Sequence, residues 1–164
     1  MKRIIVFDSS TLILLAKITL LREVANRSRC IITNVVEDEC TRKETFDSKI
    51  IRELIEENLI EIECIKPKEL AKIRKDFNIE EGEASSLALA MKEKAILAAD
   101  DKPTMKACTI LNIDFSTAIH FIVRAYKRRL IDKKIALEKL SDLEKYGRYS
   151  AQIIEDAKHR IEGD

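Results

Sequence analysis

Acidic residues recur where apolar stretches of this sequence end, and five of them could act together. They occupy four positions, one of which is a pair of adjacent aspartates. A single aspartate and the aspartate pair each directly follow a short apolar stretch. A glutamate comes about one helical turn after another stretch, and a second glutamate lies at the start of an alanine- and leucine-rich segment. Carboxylates that are brought together raise one another's pKa unless a cation neutralises them. The pattern therefore suggests a site for a divalent cation. The candidate residues are Asp8, Glu39, Glu83, Asp100 and Asp101.

The residue types indicate which cation and which reaction to expect. Oxygen ligands with several bound waters suit Mg²⁺ or Mn²⁺ better than zinc. Such ions commonly serve phosphoryl chemistry. We predict Asp8 and Glu83 as ligands together with Asp100 or Asp101, and the sequence does not decide between the last two. Glu39 is predicted to be a further catalytic acid of the same site.

Each acidic residue also has a purely structural interpretation. Asp8 and Asp101 precede predicted helices, where an aspartate often caps the first turn. Glu39 lies within a charged run typical of a solvated helix surface, and Glu83 suits the positive end of a helix dipole. The functional hypothesis depends on all of them meeting at one place.

Strand-like and helix-like segments alternate through residues 1–115, and this order determines where the acids should lie. The alternation predicts a three-layer α/β/α fold with a central, mainly parallel sheet covered by helices. Ligands of such sheets bind beyond the carboxyl ends of the strands, so Asp8 and Asp100 should share one edge. Residues 116–164 are predicted to form three helices packed on this core, as part of one structural domain.

The charge distribution is uneven along the 164-residue chain, although the net charge is only +1. Residues 76–83 carry four acids and no base, a net −4, whereas residues 124–134 carry six bases against one acid, a net +5. An acidic centre beside a basic flank suits an enzyme that acts on a polyanion. Solvated helix faces give the same pattern. The candidate residues for binding such a polyanion are Lys102, Arg124, Lys127 and Arg128.

Several other classes of protein do not fit. The cysteines at positions 30, 40, 64 and 108 lack the paired spacing of a zinc site and are expected to be buried thiols. The sequence does not decide whether two of them form a disulfide. No apolar run reaches the ~20 residues of a membrane span. The N-terminus leads directly into a strand-like segment, which argues against export, so a cytoplasmic location is expected. His120 and His159 lack suitably spaced partners for catalysis.

Four motifs together resemble those of the PIN-domain ribonucleases, and most closely the small prokaryotic VapC-type toxins. They are VFDSSTLI, TNVVEDE, GEASSLALA and AADDKP, in the order that the family has them. The resemblance implies cleavage of single-stranded RNA with Mg²⁺ or Mn²⁺. It also implies auxiliary hydroxyls at Ser10 and Thr117, a homodimer, and a small antitoxin protein as partner. The subgroup commonly has an arginine after the last motif, but this chain continues with Pro103, Thr104 and Met105.

Three alternatives remain at this point. A housekeeping RNA-processing nuclease would share the site but have a different partner. A PIN-fold binding module would lack catalysis. A haloacid-dehalogenase-type phosphatase also starts with a strand and an aspartate, but it needs a second aspartate where this chain has Ser10, which disfavours it.

Overall fold

The computed structural model describes residues 2–147 and 149–163. Within them five strands form one sheet: β1 (Ile4–Phe7), β2 (Arg29–Thr33), β3 (Ile60–Glu63), β4 (Ile96–Ala98) and β5 (Phe115–Ser116). The helices of the first half are α1 (Ser9–Lys17), α2 (Leu21–Arg27), α3 (Asn34–Thr41), α4 (Phe46–Glu56) and α5 (Pro67–Phe77). The second half adds α6 (Glu81–Glu93), α7 (Lys102–Leu111), α8 (Ala118–Lys127), α9 (Lys133–Tyr146) and α10 (Ala151–Glu162).

All neighbouring strands are parallel, in the order β3-β2-β1-β4-β5. The chain builds outward from β1 through β2 to β3 and then returns to place β4 on the other side of β1. A topological switch point, the usual ligand site of such sheets, therefore lies between β1 and β4. Phe7 pairs with Ala98, and the Asp8 backbone N–H donates to the Ala98 carbonyl at 2.9 Å. The residues that follow both strands thus meet at one edge.

Helices cover both faces of the sheet, which confirms the predicted α/β/α architecture. Along β1 the side chains alternate between two apolar clusters, with Ile5 and Phe7 in one and Val6 in the other. The first cluster includes buried residues of α1–α4 and α8–α10, and the second includes those of α5–α7. Burial on both faces is what an all-parallel sheet requires.

The C-terminal helices share the first cluster with the sheet. Ile122 of α8, Leu140 of α9 and Ile154 of α10 are buried in the same cluster as Phe7 of β1. Helices α8, α9 and α10 therefore pack against the sheet through apolar side chains. The boundary at residue 115 stays a prediction.

Helix capping accounts for several boundaries near the switch point. Asp8 caps α1, and Asp101 caps α7 by accepting from the Thr104 backbone N–H at 3.0 Å, so the capping interpretation of both aspartates is confirmed. Pro103 lies in the first turn of α7, where its missing N–H costs nothing. Capping does not exclude a second role, because a carboxylate has two oxygens.

Some short elements differ from the sequence-based expectation. Strand β2 ends at Thr33 and α3 begins at Asn34, because the Thr33 hydroxyl accepts from the Val36 N–H at 3.1 Å and caps the helix. Helix α2 and the two-residue strand β5 were not predicted, since both are too short to show a clear periodicity. Across residues 2–147 and 149–163, no helix is long and apolar enough to span a membrane.

Candidate active site

Four of the five predicted acids line one cleft of about 320 Å³ at the carboxyl edge of the sheet. The cleft lies where β1 leads into α1, next to the starts of α6 and α7 and beside α3. Asp100 does not line it. The lining residues are Asp8, Ser9, Ser10, Glu39, Glu80, Glu83 and Asp101.

Asp8 is the most buried of these acids, with 3% of its surface exposed. Its carboxylate accepts from the Ser9 backbone N–H at 2.9 Å and from the Ser10 hydroxyl at 3.4 Å. Burial raises the pKa of Asp8 well above its ordinary value, and the nearby carboxylates of Asp101 and Glu83 raise it further. An ionised Asp8 is thus held in an unfavourable environment that a cation would relieve.

Asp101 interacts with two other carboxylates of the cleft, those of Asp8 and Glu83. It is close enough to Asp8 and to Glu83 for a hydrogen bond when one partner carries a proton. Its Oδ2 caps α7, while its buried Oδ1 has no hydrogen-bond partner among the described residues. A buried carboxylate oxygen without a donor is costly, so this atom is available to a ligand.

Glu83 lies in the first turn of α6 and is half-buried. Its Oε2 accepts from the Glu80 backbone N–H at 3.0 Å. Burial raises the pKa of Glu83, the hydrogen bond from Glu80 opposes this shift, and the Asp101 carboxylate adds to it. Glu83 and Asp8 therefore both experience the charge of Asp101.

Asp100 has a different environment from its neighbour. It accepts from the Thr11 hydroxyl at 2.5 Å and from the Ala118 backbone N–H at 3.2 Å, and so links α1 to the start of α8. Burial raises the pKa of Asp100, while the hydrogen bonds from Thr11 and Ala118 oppose that shift. Both donors already satisfy this carboxylate, in contrast to Asp101.

Glu39 approaches the cleft from α3. Its carboxylate accepts from the Ser9 hydroxyl at 2.5 Å. The carboxylate packs against Gly82, where a Cβ would lie 2.8 Å from the Glu39 Cδ atom, so a side chain at this position would displace the Glu39 carboxylate. Sequence reasoning did not assign a role to Ser9, Thr11 or Gly82, although all three stand within the quoted motifs.

The predicted hydroxyl residues border a second, adjoining groove of about 640 Å³. Ser10 lines both the cleft and this groove. The Thr117 hydroxyl caps α8 by accepting from the His120 backbone N–H at 3.5 Å. Thr117 lines the groove but not the cleft. Of the two hydroxyls, Ser10 is the one in contact with an acid of the cleft.

The predicted RNA-binding residues do not form one surface. Lys102 lines the groove beside Asp101, and Lys127 is exposed in the last turn of α8. Arg124 and Arg128 instead line a separate cavity of about 350 Å³, beside Arg3 at the amino ends of the strands. These two arginines thus lie at the sheet edge opposite the carboxylates.

The cysteines take no part in the cleft, and all four are free thiols. Cys30, Cys40 and Cys108 are buried, as expected, and burial raises the pKa of each thiol to about 12. The expectation of burial is wrong for Cys64, which is exposed just after β3.

The cleft fits a hydrated divalent cation better than a fully protein-ligated one. Among residues 2–147 and 149–163, no three Asp, Glu, His or Cys side chains are arranged to hold a metal ion. Mg²⁺, however, usually binds through one or two carboxylates and keeps several waters. The free Oδ1 of Asp101 and the raised pKa values of Asp8 and Glu83 fit such an ion.

Comparison with known proteins agrees with the resemblance in the motifs at the level of the family. No curated protein matches the chain significantly in sequence. A family model for the PIN domain matches residues 4–162, which includes every acid of the cleft and all three C-terminal helices. PIN domains are generally metal-dependent nucleases. The chain belongs to the PIN-domain family.

Proposed function

We propose that this protein is a metal-dependent endoribonuclease that cleaves single-stranded RNA. The observation that carries the proposal is the grouping of the buried Asp8 carboxylate with those of Asp101 and the half-buried Glu83 at the switch point of the sheet, with one oxygen of Asp101 left unpaired. Like charges in this position raise one another's pKa, and a bound cation would relieve their repulsion. Membership of a nuclease family makes a phosphodiester the natural substrate.

Asp8 and Asp101 are the proposed ligands of Mg²⁺ or Mn²⁺, with Glu83 completing the acidic set. Asp100 is assigned a positioning role instead, because Thr11 and Ala118 already satisfy its carboxylate. The sequence left open which of the two adjacent aspartates binds the metal, and the unpaired Oδ1 of Asp101 supports the choice of Asp101. Glu39 contributes a further negative charge and orients the Ser9 hydroxyl.

The proposed reaction is hydrolysis of the phosphodiester, which leaves a 5′-phosphate and a 3′-hydroxyl. When bound, the metal ion polarises a phosphate oxygen and promotes ionisation of a water molecule. The protein holds its carboxylates in place through the capped starts of α1 and α7. Lys102, at the first position of α7, provides positive charge for the RNA backbone.

The biological setting is proposed from the resemblance to VapC-type toxins alone. In that setting the protein is the toxin of a toxin–antitoxin pair, a homodimer inhibited by a small antitoxin. A housekeeping RNA-processing role needs no such partner, and a neighbouring antitoxin gene would distinguish the two. A non-catalytic binding module is the second candidate, favoured by the lack of a complete three-ligand cluster in the described residues.

The central experiment compares RNA cleavage by the purified protein with Mg²⁺, Mn²⁺ or EDTA. We expect cleavage only with metal, a loss of at least about 100-fold in Asp101→Asn, and a smaller loss in Asp100→Asn. Asp76→Asn, an exposed aspartate of α5, is the matched control and should cleave normally. Cleavage that persists in EDTA would refute the metal mechanism. Absence of cleavage of any RNA by the wild-type protein would favour the binding module.

A further inference from the structure

The groove next to the acidic cleft has the composition of a nucleotide-binding site. It shares Ser10, Glu83 and Asp101 with the cleft and extends to the end of α9. Its volume of about 640 Å³ lies within the range of small-molecule sites. We propose that this groove binds the base of an RNA nucleotide next to the cleavage site, with Tyr146 as the stacking platform. The proposal rests on the ribonuclease function proposed above.

Tyr146 is an unusual residue for a helix surface. It is the last residue of α9, lines the groove and has 53% of its surface exposed. The Lys17 ammonium lies 5.5 Å from the centre of its ring. An exposed aromatic ring beside a cation is the combination with which proteins bind single-stranded nucleic acid, because the ring stacks on a base while the cation attracts phosphate.

The charges of the groove also favour RNA over an apolar ligand. Its acidic end carries Glu83, Asp100 and Asp101, where the metal ion is proposed to bind. Lys17 and Lys102 line the same groove. A polyanion can therefore place one phosphate at the metal and neighbouring phosphates against the lysines. A neutral apolar ligand would use neither set of charges.

His120 provides a polar contact with a defined tautomer. Its Nδ1 accepts from the Thr117 backbone N–H at 3.1 Å, so a neutral imidazole carries its proton on Nε2. Burial lowers the pKa of His120, and Arg160 and Arg124 lower it further, which favours the neutral form. His120 lines the groove, and Nε2–H is its remaining donor. Such a donor can distinguish bases that present an acceptor at this position from bases that present a donor there.

The turn after α9 shapes this side of the groove. A Cβ at Gly147 would lie 2.8 Å from Cδ2 of Tyr149 and 3.0 Å from the Leu143 carbonyl oxygen. Glycine at this position therefore lets the Tyr149 ring pack close to the end of α9. Both Tyr149 and Gly147 line the groove beside Tyr146. The C-terminal helices thus contribute directly to the proposed base site.

The test measures RNA binding separately from cleavage. Binding of short, end-labelled single-stranded RNA is followed by fluorescence anisotropy in an Asp8→Asn background, which is expected not to cleave. Adding Tyr146→Ala should weaken binding about tenfold, the typical effect of losing one stacked base. Tyr146→Phe should bind within about twofold of the reference, because the ring remains. Phe46→Ala is the matched control, since Phe46 is 60% exposed and does not line the groove.

A second measurement tests base discrimination and catalysis. His120→Ala should reduce the differences in affinity among the four homopolymeric RNAs. With Asp8 restored, Tyr146→Ala should raise KM and change kcat little, whereas a metal-ligand variant lowers kcat. Thermal unfolding of every variant verifies that it is folded.

The outcomes separate this proposal from the proposed function. If the Asp8→Asn protein binds RNA and Tyr146→Ala leaves its affinity unchanged, the base site is refuted and the ribonuclease proposal stands. If wild-type protein neither binds nor cleaves single-stranded RNA, the proposed function fails, and the base site fails with it. Selective weakening by Tyr146→Ala, with normal binding by Tyr146→Phe and Phe46→Ala, supports the site.

Discussion

Replacing Asp8 with asparagine should make the metal-free protein more stable while it removes the activity. The buried Asp8 carboxylate lies beside those of Asp101 and Glu83. Asparagine has nearly the same shape, can still accept from the Ser9 N–H through its carbonyl oxygen, and has an amide that can donate to Asp101. The substitution therefore removes charge repulsion and keeps the cap of α1.

The size of the effect follows from the electrostatics of the cleft. Two unit charges about 4 Å apart repel by about 4 kcal/mol at an effective dielectric constant of about 20. Proton uptake relieves part of this repulsion, since each unit by which a pKa is raised corresponds to about 1.4 kcal/mol. We expect the free energy of unfolding to rise by about 1–3 kcal/mol at neutral pH without metal. In a chain of this length that raises Tm by about 3–10 °C.

The effect should depend on pH with a definite sign. The folded-state pKa of Asp8 is raised, so between the unfolded and the folded pKa the native state binds more protons than the unfolded state. Wild-type stability therefore falls as pH rises through the folded pKa of Asp8. The difference between Asp8→Asn and wild type should be small near pH ~4, the ordinary pKa of aspartate, and should grow above it.

Metal binding should reverse the order of stability. Mg²⁺ or Mn²⁺ stabilises the folded state according to its concentration and affinity, and the wild-type site is the better ligand set. Thermal unfolding by circular dichroism, in EDTA and with each metal over a pH series, measures all of these effects. Asp76→Asn serves as the control, because surface substitutions usually change stability by no more than about 0.5 kcal/mol. The reasoning is refuted if Asp8→Asn is less stable than wild type in EDTA at neutral pH.

Three other outcomes follow from single contacts. Thr11→Val should lower the free energy of unfolding by about 1–3 kcal/mol in thermal denaturation, because Asp100 loses its hydroxyl donor, whereas Thr11→Ser should not. Gly82→Ala should displace Glu39 and reduce RNA cleavage while stability changes by less than about 1 kcal/mol; unchanged cleavage would contradict a role for Glu39. A thiol reagent should modify Cys64 rapidly in the native protein and the other cysteines only on unfolding, as mass spectrometry can show.

The acids that follow β1 and β4 could be located from the sequence because a parallel sheet brings its carboxyl ends to one edge. The sequence could not decide between capping and metal binding at Asp101. In the structure the two roles use different atoms, since Oδ2 accepts from Thr104 and Oδ1 is free. No pattern in the sequence distinguishes the two oxygens of one carboxylate.

Contacts between distant segments were beyond sequence reasoning. Thr11 and Asp100 are 89 positions apart, and the hydrogen bond between them depends on the pairing of β1 with β4, which brings the start of α1 beside the residues that follow β4. Periodicity shows which face of α9 is apolar but does not show that its end reaches the groove next to the acidic cleft. For the same reason, the basic run containing Arg124 and Arg128 could not be assigned to the opposite edge.

The capped helices explain how the fold tolerates like charges before a cation binds. Asp8 caps α1, Asp101 caps α7, and Glu83 lies in the first turn of α6, so three helix N-termini adjoin the cleft. The positive end of a helix stabilises a nearby carboxylate by about 0.3–1 kcal/mol. This partial compensation holds the acids in place but leaves the pKa values of Asp8 and Glu83 raised. Because capping residues and proposed ligands are the same side chains, alanine would damage the helix and the cation site together. Asparagine keeps the cap and removes the charge, so it is the substitution that separates the two roles.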